Sequence, residues 1–355
     1  MGADLRCDVL VVGLGPAGGA AAAAAARAGL DVIAIERKAR IGLPVQCAEF
    51  IPAPLGRHAR AEGVERQRIR AMRTRLPSGA ATDTPFSGIM VDRAAFDAAL
   101  AERASAAGAR LLNNTALEVL LPGQRARLRG AGSAREITYR LLVAADGPGS
   151  RVAHCLGLAP LQSVHTRQYT VPLLTPSEQT DIWLSPAYPG GYAWLFPKGG
   201  LANLGLGLDR RFARDLKAPL EELHGRLAAG GIVARDIRCR TGGLIPVGGL
   251  RGRLVQDTVL FAGDAAGLTH PVTGAGIAAA VISGERAGAA CAACLGGDGG
   301  ALADYEEDMR DQFGDSLARA VRARAALEQV WNTPAAADDA YHRRGWIAFD
   351  EYYAR

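Results

Sequence analysis

The chain has 355 residues, of which 49% are hydrophobic, and this supplies enough apolar side chains for one large or two interleaved globular domains. Its net charge is +5, but the arginines are scattered among acidic residues, and this distribution excludes the one-sided basic surface of a nucleic-acid-binding protein. The six cysteines follow no disulfide framework, the histidines share no metal-ligand spacing and no signal-peptide pattern precedes the first apolar run, so we expect a cytoplasmic protein without a metal site.

The first predicted element is a βαβ unit at the N-terminus. An apolar strand, Val9–Val12, leads through a glycine-rich turn into an alanine-rich helix that ends near Gly29, and a second strand follows at Val32–Ile35. The glycines form a G-x-G-x-x-G pattern, which permits a tight turn, the approach of the backbone to a pyrophosphate and close helix–strand packing. They also interrupt this apolar stretch too often for a membrane span. The residues predicted to bind a dinucleotide here are Gly13, Gly15, Pro16, Ala17 and Gly18.

Glu36 ends the second strand, 18 residues after Gly18. A carboxylate at this position accepts hydrogen bonds from ribose hydroxyls and disfavours a 2′-phosphate. The loop that follows, "IGLPVQCAEFIP", is too apolar for an ordinary surface loop and contains Cys47. Two interpretations of Cys47 stay open at this point, a working thiol and a packed side chain.

Two segments in the middle of the first half carry charged residues next to predicted elements. The segment "MVDRAAFDAALAERA", residues 90–104, places Arg93 and Asp97 at the start of a helix. The segment "YRLLVAADGPGSRVAHCLGL", residues 139–158, is a strand followed by Asp146-Gly147 and then by Arg151. Taken alone, these patterns also describe an exposed charge in a first helical turn and a surface turn after a strand.

Large aromatic residues alternate with smaller ones in the block "PGGYAWLFPKGG", residues 189–200. In a β-strand, Tyr192, Trp194 and Phe196 would lie on one face and Ala193 and Leu195 on the other. Such a face suits aromatic core packing, and it equally suits the wall of an apolar pocket.

A second glycine-rich segment, "DTVLFAGDAAGLTHPVTGAGIAAAVISGERAG", covers residues 257–288. It has a short strand at Val259–Phe261, then Gly263-Asp264, a loop, and two glycines at 274 and 276 that open a helix. A helix that starts in this way presents free N–H groups and a partial positive charge.

Together, the motifs resemble those of the p-hydroxybenzoate hydroxylase-like FAD enzymes, from residue 9 to about residue 288, roughly four-fifths of the chain. The resemblance implies FAD as the cofactor, a ribitol contact for Asp264, and a flavin contact for the helix after Gly276. It implies that Arg93, Asp146 and Arg151 also lie against the cofactor. The further cofactor-binding residues that we expect from it are Arg37, Gln46, Cys47, Gly147, Gly263, Gly274, Ala275 and Ile277.

Within this group, the chain resembles the geranylgeranyl reductase family. The similar blocks are "GDAAG…HPVTGAGIAAAVISGERAG", "PVQCAE" (44–49) and the Y-x-W-x-F-P pattern. In the family the "PVQCAE" loop reaches the active side of the flavin, and the aromatic block lines the cavity for an isoprenoid chain. The implied substrate-binding residues are Tyr192, Trp194, Phe196 and Pro197.

The resemblance implies an oxidoreductase that transfers hydride from reduced flavin to a carbon–carbon double bond of an apolar, isoprenoid-type substrate. The other carbon then needs a proton, so a positioned acid is required. Cys47 and Glu49 are the candidate donors, and His270 would either act as an acid or shape its turn. The chain has one complete dinucleotide motif, so NAD(P)H would bind transiently, or a reduced carrier would supply the electrons.

Other reactions stay open. A monooxygenase would hold an aromatic ring in the same cavity, including a tryptophan side chain of a partner protein during quinone cofactor biogenesis, and a short C-terminus would leave the cavity open to such a peptide. A halogenase needs a lysine near its substrate, and Lys198 is the one lysine close to the aromatic block. A non-enzymatic FAD-binding protein is the remaining class. The aromatic tail, "WIAFDEYYAR", would contact a membrane surface, a partner or its own domain.

The predicted fold class is α/β, with a Rossmann-type FAD-binding domain interleaved with an antiparallel-sheet substrate domain and a short C-terminal helical segment. The FAD-binding domain is expected at residues 1–160 and 250–300. The substrate domain is expected at residues 161–249, with the 40–90 region at the edge of its sheet, and the C-terminal helix and tail at residues 301–355.

Overall fold

Two β-sheets with helices packed around them form the structure, a computed structural model that describes residues 5–130 and 134–354. The strands are β1 (Leu5–Val12), β2 (Val32–Ile35), β3 (Phe50–Pro52), β4 (Glu65–Arg75), β5 (Ala81–Val91), β6 (Arg110–Leu112), β7 (Ala116–Leu121), β8 (Arg125–Arg129), β9 (Ala134–Ala144), β10 (Ser163–Pro172), β11 (Gln179–Trp183), β12 (Ala193–Lys198), β13 (Leu201–Leu208), β14 (Cys239–Thr241), β15 (Leu244–Pro246), β16 (Val255–Gln256) and β17 (Val259–Phe261). The α-helices are α1 (Pro16–Arg27), α2 (Arg93–Ala106), α3 (Arg151–Cys155), α4 (Lys217–Ala229), α5 (Ile277–Leu295), α6 (Ala301–Glu328) and α7 (Asp339–Gly345). Short 3₁₀ segments lie at Ala53–Ala59, Gly263–Ala266, Pro334–Ala337 and Asp350–Tyr352.

The first sheet has the order β16-β17-β9-β1-β2-β6, and the β7–β8 hairpin is attached to β9. Strand β1 pairs in parallel with β2 on one side and with β9 on the other. All three strands are buried along most of their length, as expected for a parallel sheet with helices on its faces. Their carboxyl ends therefore meet at one edge, where ligands of α/β folds bind.

Helices α1 and α5 pack closely, with two glycines of α5 against the backbone of α1. A methyl group at Gly284 of α5 would overlap the carbonyl oxygen of Ala17 on α1, and one at Gly288 would lie 2.5 Å from the carbonyl oxygen of Ala21. The alanine-rich composition of α1 serves this contact, because larger side chains would separate the two helices.

The second sheet has the order β14-β10-β13-β12-β11-β4-β5-β3, with β15 paired to β10. It is antiparallel except at the β11–β4 pair. Strands β3, β4 and β5, from residues 50–91, form one edge of this sheet. On β12, Ala193 and Leu195 pack towards α4, whereas Trp194 and Phe196 belong to a cluster on the opposite face. The predicted α/β fold class with a second, largely antiparallel sheet is confirmed.

Helix α6 contacts both sheets. Near its start, the Tyr305 hydroxyl donates to the carbonyl oxygen of Phe261 in β17, at 2.6 Å. Near its end, the buried Arg324 donates to the carbonyl oxygen of Gly190 at 2.7 Å and to Asp209 Oδ2 at 3.0 Å, both beside the second sheet. This 28-residue helix therefore fixes the two sheets relative to each other.

The segment after α6 folds back onto the second sheet. Trp346 and Phe349 are buried in the same cluster as Trp194 and Phe196, and Tyr352 is buried as well. Only Tyr353 among the four aromatic rings of this tail is exposed, at 54%. This corrects the expectation that a short C-terminus leaves the substrate side open, because long-range packing places the tail there.

Helix α5 is long and apolar enough to cross a membrane by length and composition alone, with a mean hydropathy of 1.3. More than half of this stretch, 56%, is buried inside the fold, where it packs on α1 and α6. Its apolar character is therefore explained by its position as a core helix.

Candidate functional site

A cavity of about 1180 Å³ lies between the two sheets and is lined by residues from every predicted motif. Ligand pockets are commonly ~300–1,000 Å³, so this cavity is at the size that a large cofactor requires. Three of the predicted site residues do not line it: Gly18 packs behind the turn, Gly263 against α1 and α5, and Pro197 inside β12. The predicted residues that do line it are Gly13, Gly15, Pro16, Ala17, Glu36, Arg37, Gln46, Cys47, Glu49, Arg93, Asp146, Gly147, Arg151, Tyr192, Trp194, Phe196, Asp264, His270, Gly274, Ala275, Gly276 and Ile277.

One end of the cavity is formed by the β1–α1 turn. Gly13 has φ of +95°, and a methyl group there would lie 2.5 Å from the carbonyl oxygen of Ala145. Among the described residues, a methyl group at Gly15 would meet no atom within 4 Å, and it would enter the cavity. No side chain of residues 5–130 or 134–354 caps the N-terminus of α1, so its free N–H groups and positive helix end face open space. These are the features of a pyrophosphate site.

Glu36 lies at the carboxyl end of β2, where its carboxylate is oriented by the backbone. Its Oε2 accepts from the N–H of Leu14 and its Oε1 from the N–H of Lys38, each at 3.0 Å. An ionised carboxylate has about four acceptor positions, so two remain for ribose hydroxyls.

Two further carboxylates support a bound dinucleotide. Asp146 Oδ2 accepts from the N–H of Val152 at 3.0 Å, whereas its buried Oδ1 has no partner among the described residues. Burial raises the pKa of Asp146, and a buried oxygen without a donor is unusual enough to indicate one from a ligand. Asp264 Oδ1 accepts from the Thr269 hydroxyl at 2.5 Å beside Gly276, where α5 also begins without a side-chain cap. The donors and acceptors along this wall fit FAD.

The two arginines at this end are held in different ways. Arg93 donates both to Asp97 Oδ1 at 2.9 Å and to Asp97 Oδ2 at 3.0 Å, so the largely buried guanidinium is fixed beside the cavity. Arg151 donates to the carbonyl oxygen of Glu118 and thereby lies against β7. Both positive charges face the space expected for an anionic cofactor.

Cys47 is half-buried in the loop that joins the FAD end of the cavity to its apolar end. Its Sγ accepts from the N–H of Glu49 at 3.2 Å, and burial raises the pKa of the thiol above its ordinary value. Its carbonyl oxygen accepts from Gln168 Nε2 at 2.9 Å, and Gln168 Oε1 in turn accepts from Trp194 Nε1 at 3.1 Å. The loop is thus tied to the aromatic strand, and Cys47 is protonated at neutral pH.

Glu49 is a buried residue whose backbone has φ of +71°, a left-handed conformation that is unusual for glutamate. Its carboxylate accepts from the N–H of Arg93 at 2.9 Å and from Asn203 Nδ2 at 2.7 Å, and it forms an ion pair with Lys198. With three donors on its two oxygens, this side chain holds the Cys47 loop in place. Its predicted role as a proton donor stays a prediction.

The other end of the cavity is apolar. Tyr192, whose hydroxyl donates to the carbonyl oxygen of Thr273 at 2.5 Å, lies edge-on to Trp194 and to Trp346. The residues that form this end are Met72, Phe86, Ile182, Tyr192, Trp194, Phe196, Trp346 and Ile347. Among the side chains described there, no lysine, arginine, aspartate or glutamate contributes, so an apolar molecule is the ligand that this wall suits.

Three functional side chains escaped prediction, and a fourth, Lys198, has a different partner from the expected one. Gln168 and Asn203 are buried polar residues within strands. The sequence offers a signal for Asn203, which is a polar residue inside the apolar run of β13. Lys198 was considered as a halogenase lysine, but here it is paired with Glu49. Trp346 carried no local signal, because its contacts are with residues about 150 and 270 positions earlier in the chain.

His270 shapes the loop before α5. Its Nδ1 accepts from the N–H of Thr273 at 3.3 Å, so the proton lies on Nε2, which faces the Tyr352 hydroxyl at 3.3 Å. Burial lowers the pKa of His270 to about 4. The imidazole is therefore neutral at pH 7, which favours the turn-shaping role over that of an acid.

This pKa predicts a pH dependence of stability. Because the folded state holds the neutral ring, its contribution is complete above about pH 6.5 and is lost as the pH falls towards about 4. The expected loss from His270 is at most about 3 kcal/mol in the free energy of unfolding. Urea unfolding of the parent and of His270→Asn between these pH values measures it, since asparagine can still accept from Thr273. If the free energy of unfolding changes equally with pH in the two proteins, the prediction is wrong. The other histidines are present in both proteins and do not affect this comparison.

Comparison with known proteins agrees with this geometry. The family model described as FAD dependent oxidoreductase matches residues 8–141, and the one described as lycopene cyclase protein matches residues 212–350. The digeranylgeranylglycerophospholipid reductase 2 of Methanopyrus kandleri is 33% identical, over 92% of this chain and 88% of that protein.

Solved structures show the same fold. The crystal structure of a geranylgeranyl bacteriochlorophyll reductase-like protein of Thermoplasma acidophilum superimposes with a TM-score of 0.87 at 26% identity, covering 97% of this chain and 93% of that one. A probable FAD-dependent monooxygenase of Pseudomonas aeruginosa gives a TM-score of 0.69 at 21% identity, covering 91% and 97% of the two chains. The latter likeness concerns the fold alone.

Proposed function

The chain belongs to the geranylgeranyl reductase family of FAD-dependent oxidoreductases, and we propose that it adds hydrogen across a carbon–carbon double bond of an isoprenoid chain. The observation that carries this proposal is the continuity of the cavity. Residues that fit FAD form one end, aromatic residues without charge form the other, and Cys47 lies between them. A substrate in the apolar end would place its double bonds beside the cofactor.

The nature of the substrate is supported by the relatives. The curated relative is named for reduction of a geranylgeranyl lipid, and the lycopene cyclase model covers the segment that contributes Trp346. Both names refer to long isoprenoid hydrocarbons, which have the same apolar character as the wall described here. Burial of such a chain contributes about 0.8 kcal/mol per methylene group, so an apolar cavity alone can bind it firmly.

The protein itself would bind the cofactor and the substrate, orient them towards each other and supply a proton. Reduced FAD, when bound, supplies the hydride equivalent. The uncapped helix ends of α1 and α5 would hold negative charge at two places along the cofactor. The Cys47 thiol would give its proton to the second carbon of the double bond and regain one from solvent. NAD(P)H or a reduced carrier protein would restore the reduced cofactor.

Cys47→Ser is expected to lower turnover by roughly 10²- to 10⁴-fold, because a serine hydroxyl is a much weaker acid than a thiol. FAD binding should be unchanged, as measured by flavin absorbance per protein. The parent's turnover should stay level from about pH 6 to pH 8.5, since the raised pKa keeps the thiol protonated there. Cys155→Ser, at the end of α3, serves as the control. If the Cys47 variant turns over as fast as the parent, Cys47 is a packing residue.

Product mass separates this reaction from a monooxygenase. The reduced protein is offered a geranylgeranyl lipid without oxygen, and an aromatic compound or a tryptophan-containing peptide with oxygen. A gain of two hydrogen atoms by the lipid is the expected result. Addition of one oxygen atom to the aromatic substrate, with no change in the lipid, would overturn the proposal. The tail packs across the apolar end, which argues against a peptide substrate. Lys198 is paired with Glu49, which argues against halogenation.

A further inference from the structure

We propose that Trp346 sets the maximum length of the isoprenoid chain that this protein accepts. The inference rests on the proposed function and assigns a specificity-determining role to a residue of the C-terminal tail. Trp346 and Ile347 line the apolar part of the cavity, where Trp346 lies beside Tyr192, and Trp346 is 3% exposed. A chain that extends from the cofactor past Tyr192 would meet the indole.

The indole is a fixed wall. Its Nε1 donates to Thr74 Oγ1 at 3.1 Å, and Thr74 is itself fully buried on β4. Its ring lies edge-on to Tyr192, with centroids 4.8 Å apart and the ring planes at 64°. Since Tyr192 is in turn bonded to the carbonyl oxygen of Thr273, both rings that meet at this end have a defined orientation.

The backbone on either side of Trp346 is held as well. On the N-terminal side, Asp339 Oδ1 accepts from the N–H of Ser78 at 3.0 Å. Arg343, also before Trp346, pairs with Glu351 at 2.7 Å and stacks over Phe349, and so joins the two sides of Trp346. Beyond these, the Tyr352 hydroxyl contacts His270 in the loop before α5. The tail is therefore attached both to the second sheet and to the loop at the flavin end.

A rigid aromatic wall discriminates by size. Cores resist added methylene groups because overpacking forces side chains away from their rotamers, so a chain longer than the cavity is excluded. Removing the indole would instead leave an apolar space, and such spaces stay dry and bind apolar groups. The Trp346→Ala variant should therefore accept longer isoprenoid chains, because the end of the substrate can occupy the space that the indole leaves.

The test compares the parent with Trp346→Ala on prenyl substrates that share one headgroup and differ by single isoprene units, from about two to six units. For the parent, kcat/KM is expected to fall sharply beyond one length. In the variant, the ratio of kcat/KM for the first excluded length to that for the last accepted one should rise at least about 10-fold. Tyr341→Ala, on α7 and outside the cavity, is the control and should keep the parent's profile. An unchanged ratio in a Trp346→Ala protein that still reduces the short substrates would overturn the proposal.

Binding without turnover separates this proposal from the proposed function. The oxidised, FAD-containing proteins are titrated with free prenyl alcohols of three to six isoprene units by calorimetry. If the parent binds short alcohols and rejects long ones while the variant binds both, Trp346 sets the length even where no reduction occurs. If both proteins bind all lengths equally, the proposal is wrong. Should Trp346→Ala fail to fold, Ile347→Ala and Thr74→Val, which widen or loosen the same wall, are tested against the same two outcomes.

Discussion

Gly18→Ala is expected to destabilise the first sheet strongly, whereas Gly15→Ala should give a stably folded protein that binds FAD more weakly. A methyl group at Gly18 would overlap the carbonyl oxygen of Gly13 and lie 3.3 Å from Ala145 Cβ, so the turn and β9 would both have to move. Overpacking of this kind costs about 1–3 kcal/mol, and the upper end is expected here because the added methyl group would overlap a backbone atom. The expected readouts are a large fall in the melting temperature and aggregation during expression.

Gly15 is the matched control for Gly18, because the same added methyl group would meet no atom of the residues that the structure describes within 4 Å. Its φ of −76° is open to any residue, so alanine introduces no backbone strain. The methyl group would nevertheless occupy the space in front of the helix N-terminus. FAD affinity should fall by at least about tenfold, about 1.4 kcal/mol, while the apoprotein melts within a few degrees of the parent apoprotein. If the FAD affinity is unchanged, the pyrophosphate of the cofactor does not lie against Gly15.

Lys198→Met is expected to lower the free energy of unfolding by ~3–5 kcal/mol. The substitution leaves the Glu49 carboxylate buried without its cation, and an uncompensated buried charge is the costly outcome of breaking such a pair. Urea unfolding measures the loss. Lys217→Met, on an exposed lysine of α4, should change stability by less than about 0.5 kcal/mol.

The double variant Glu49→Gln with Lys198→Met tests whether the buried charge of Glu49 causes this loss of stability. A neutral amide in place of the carboxylate can still accept from the N–H of Arg93, so part of the lost stability should return. If the double variant is less stable than Lys198→Met alone, the buried charge is not the origin of the loss. Because the pair holds the Cys47 loop, slower turnover in Lys198→Met is expected as well.

The sequence predicted those parts of the fold that are encoded locally. The βαβ unit has a strand, a glycine turn and a helix in continuous order, and the second strand, Val32–Ile35, is found with the expected bounds. The alternation along β12 predicted correctly that Trp194 and Phe196 share a face opposite Ala193 and Leu195. In both cases, the spacing of neighbouring residues carries the information.

The remaining features depend on contacts between distant residues. Nothing near Trp346 indicates that its indole will bond to Thr74, and nothing near Glu49 indicates that Lys198 and Asn203 will neutralise and orient it. The same holds for Gln168, whose two partners lie on a loop and on another strand. Such pairings follow from the order of strands in the second sheet, which a local pattern does not specify.

The direct contact between α1 and α5 has a consequence for cofactor choice. No side chain separates the helices where Gly284 and Gly288 meet Ala17 and Ala21, so no change of rotamer can adjust their spacing. The two positive helix ends are thus held at a constant separation, which suits the distance from a flavin ring to its first phosphate. A flavin mononucleotide has that ring and phosphate and would span both ends, so the helix spacing alone does not distinguish it from FAD. The choice of FAD should therefore depend on Glu36, which the shorter flavin leaves without ribose hydroxyls.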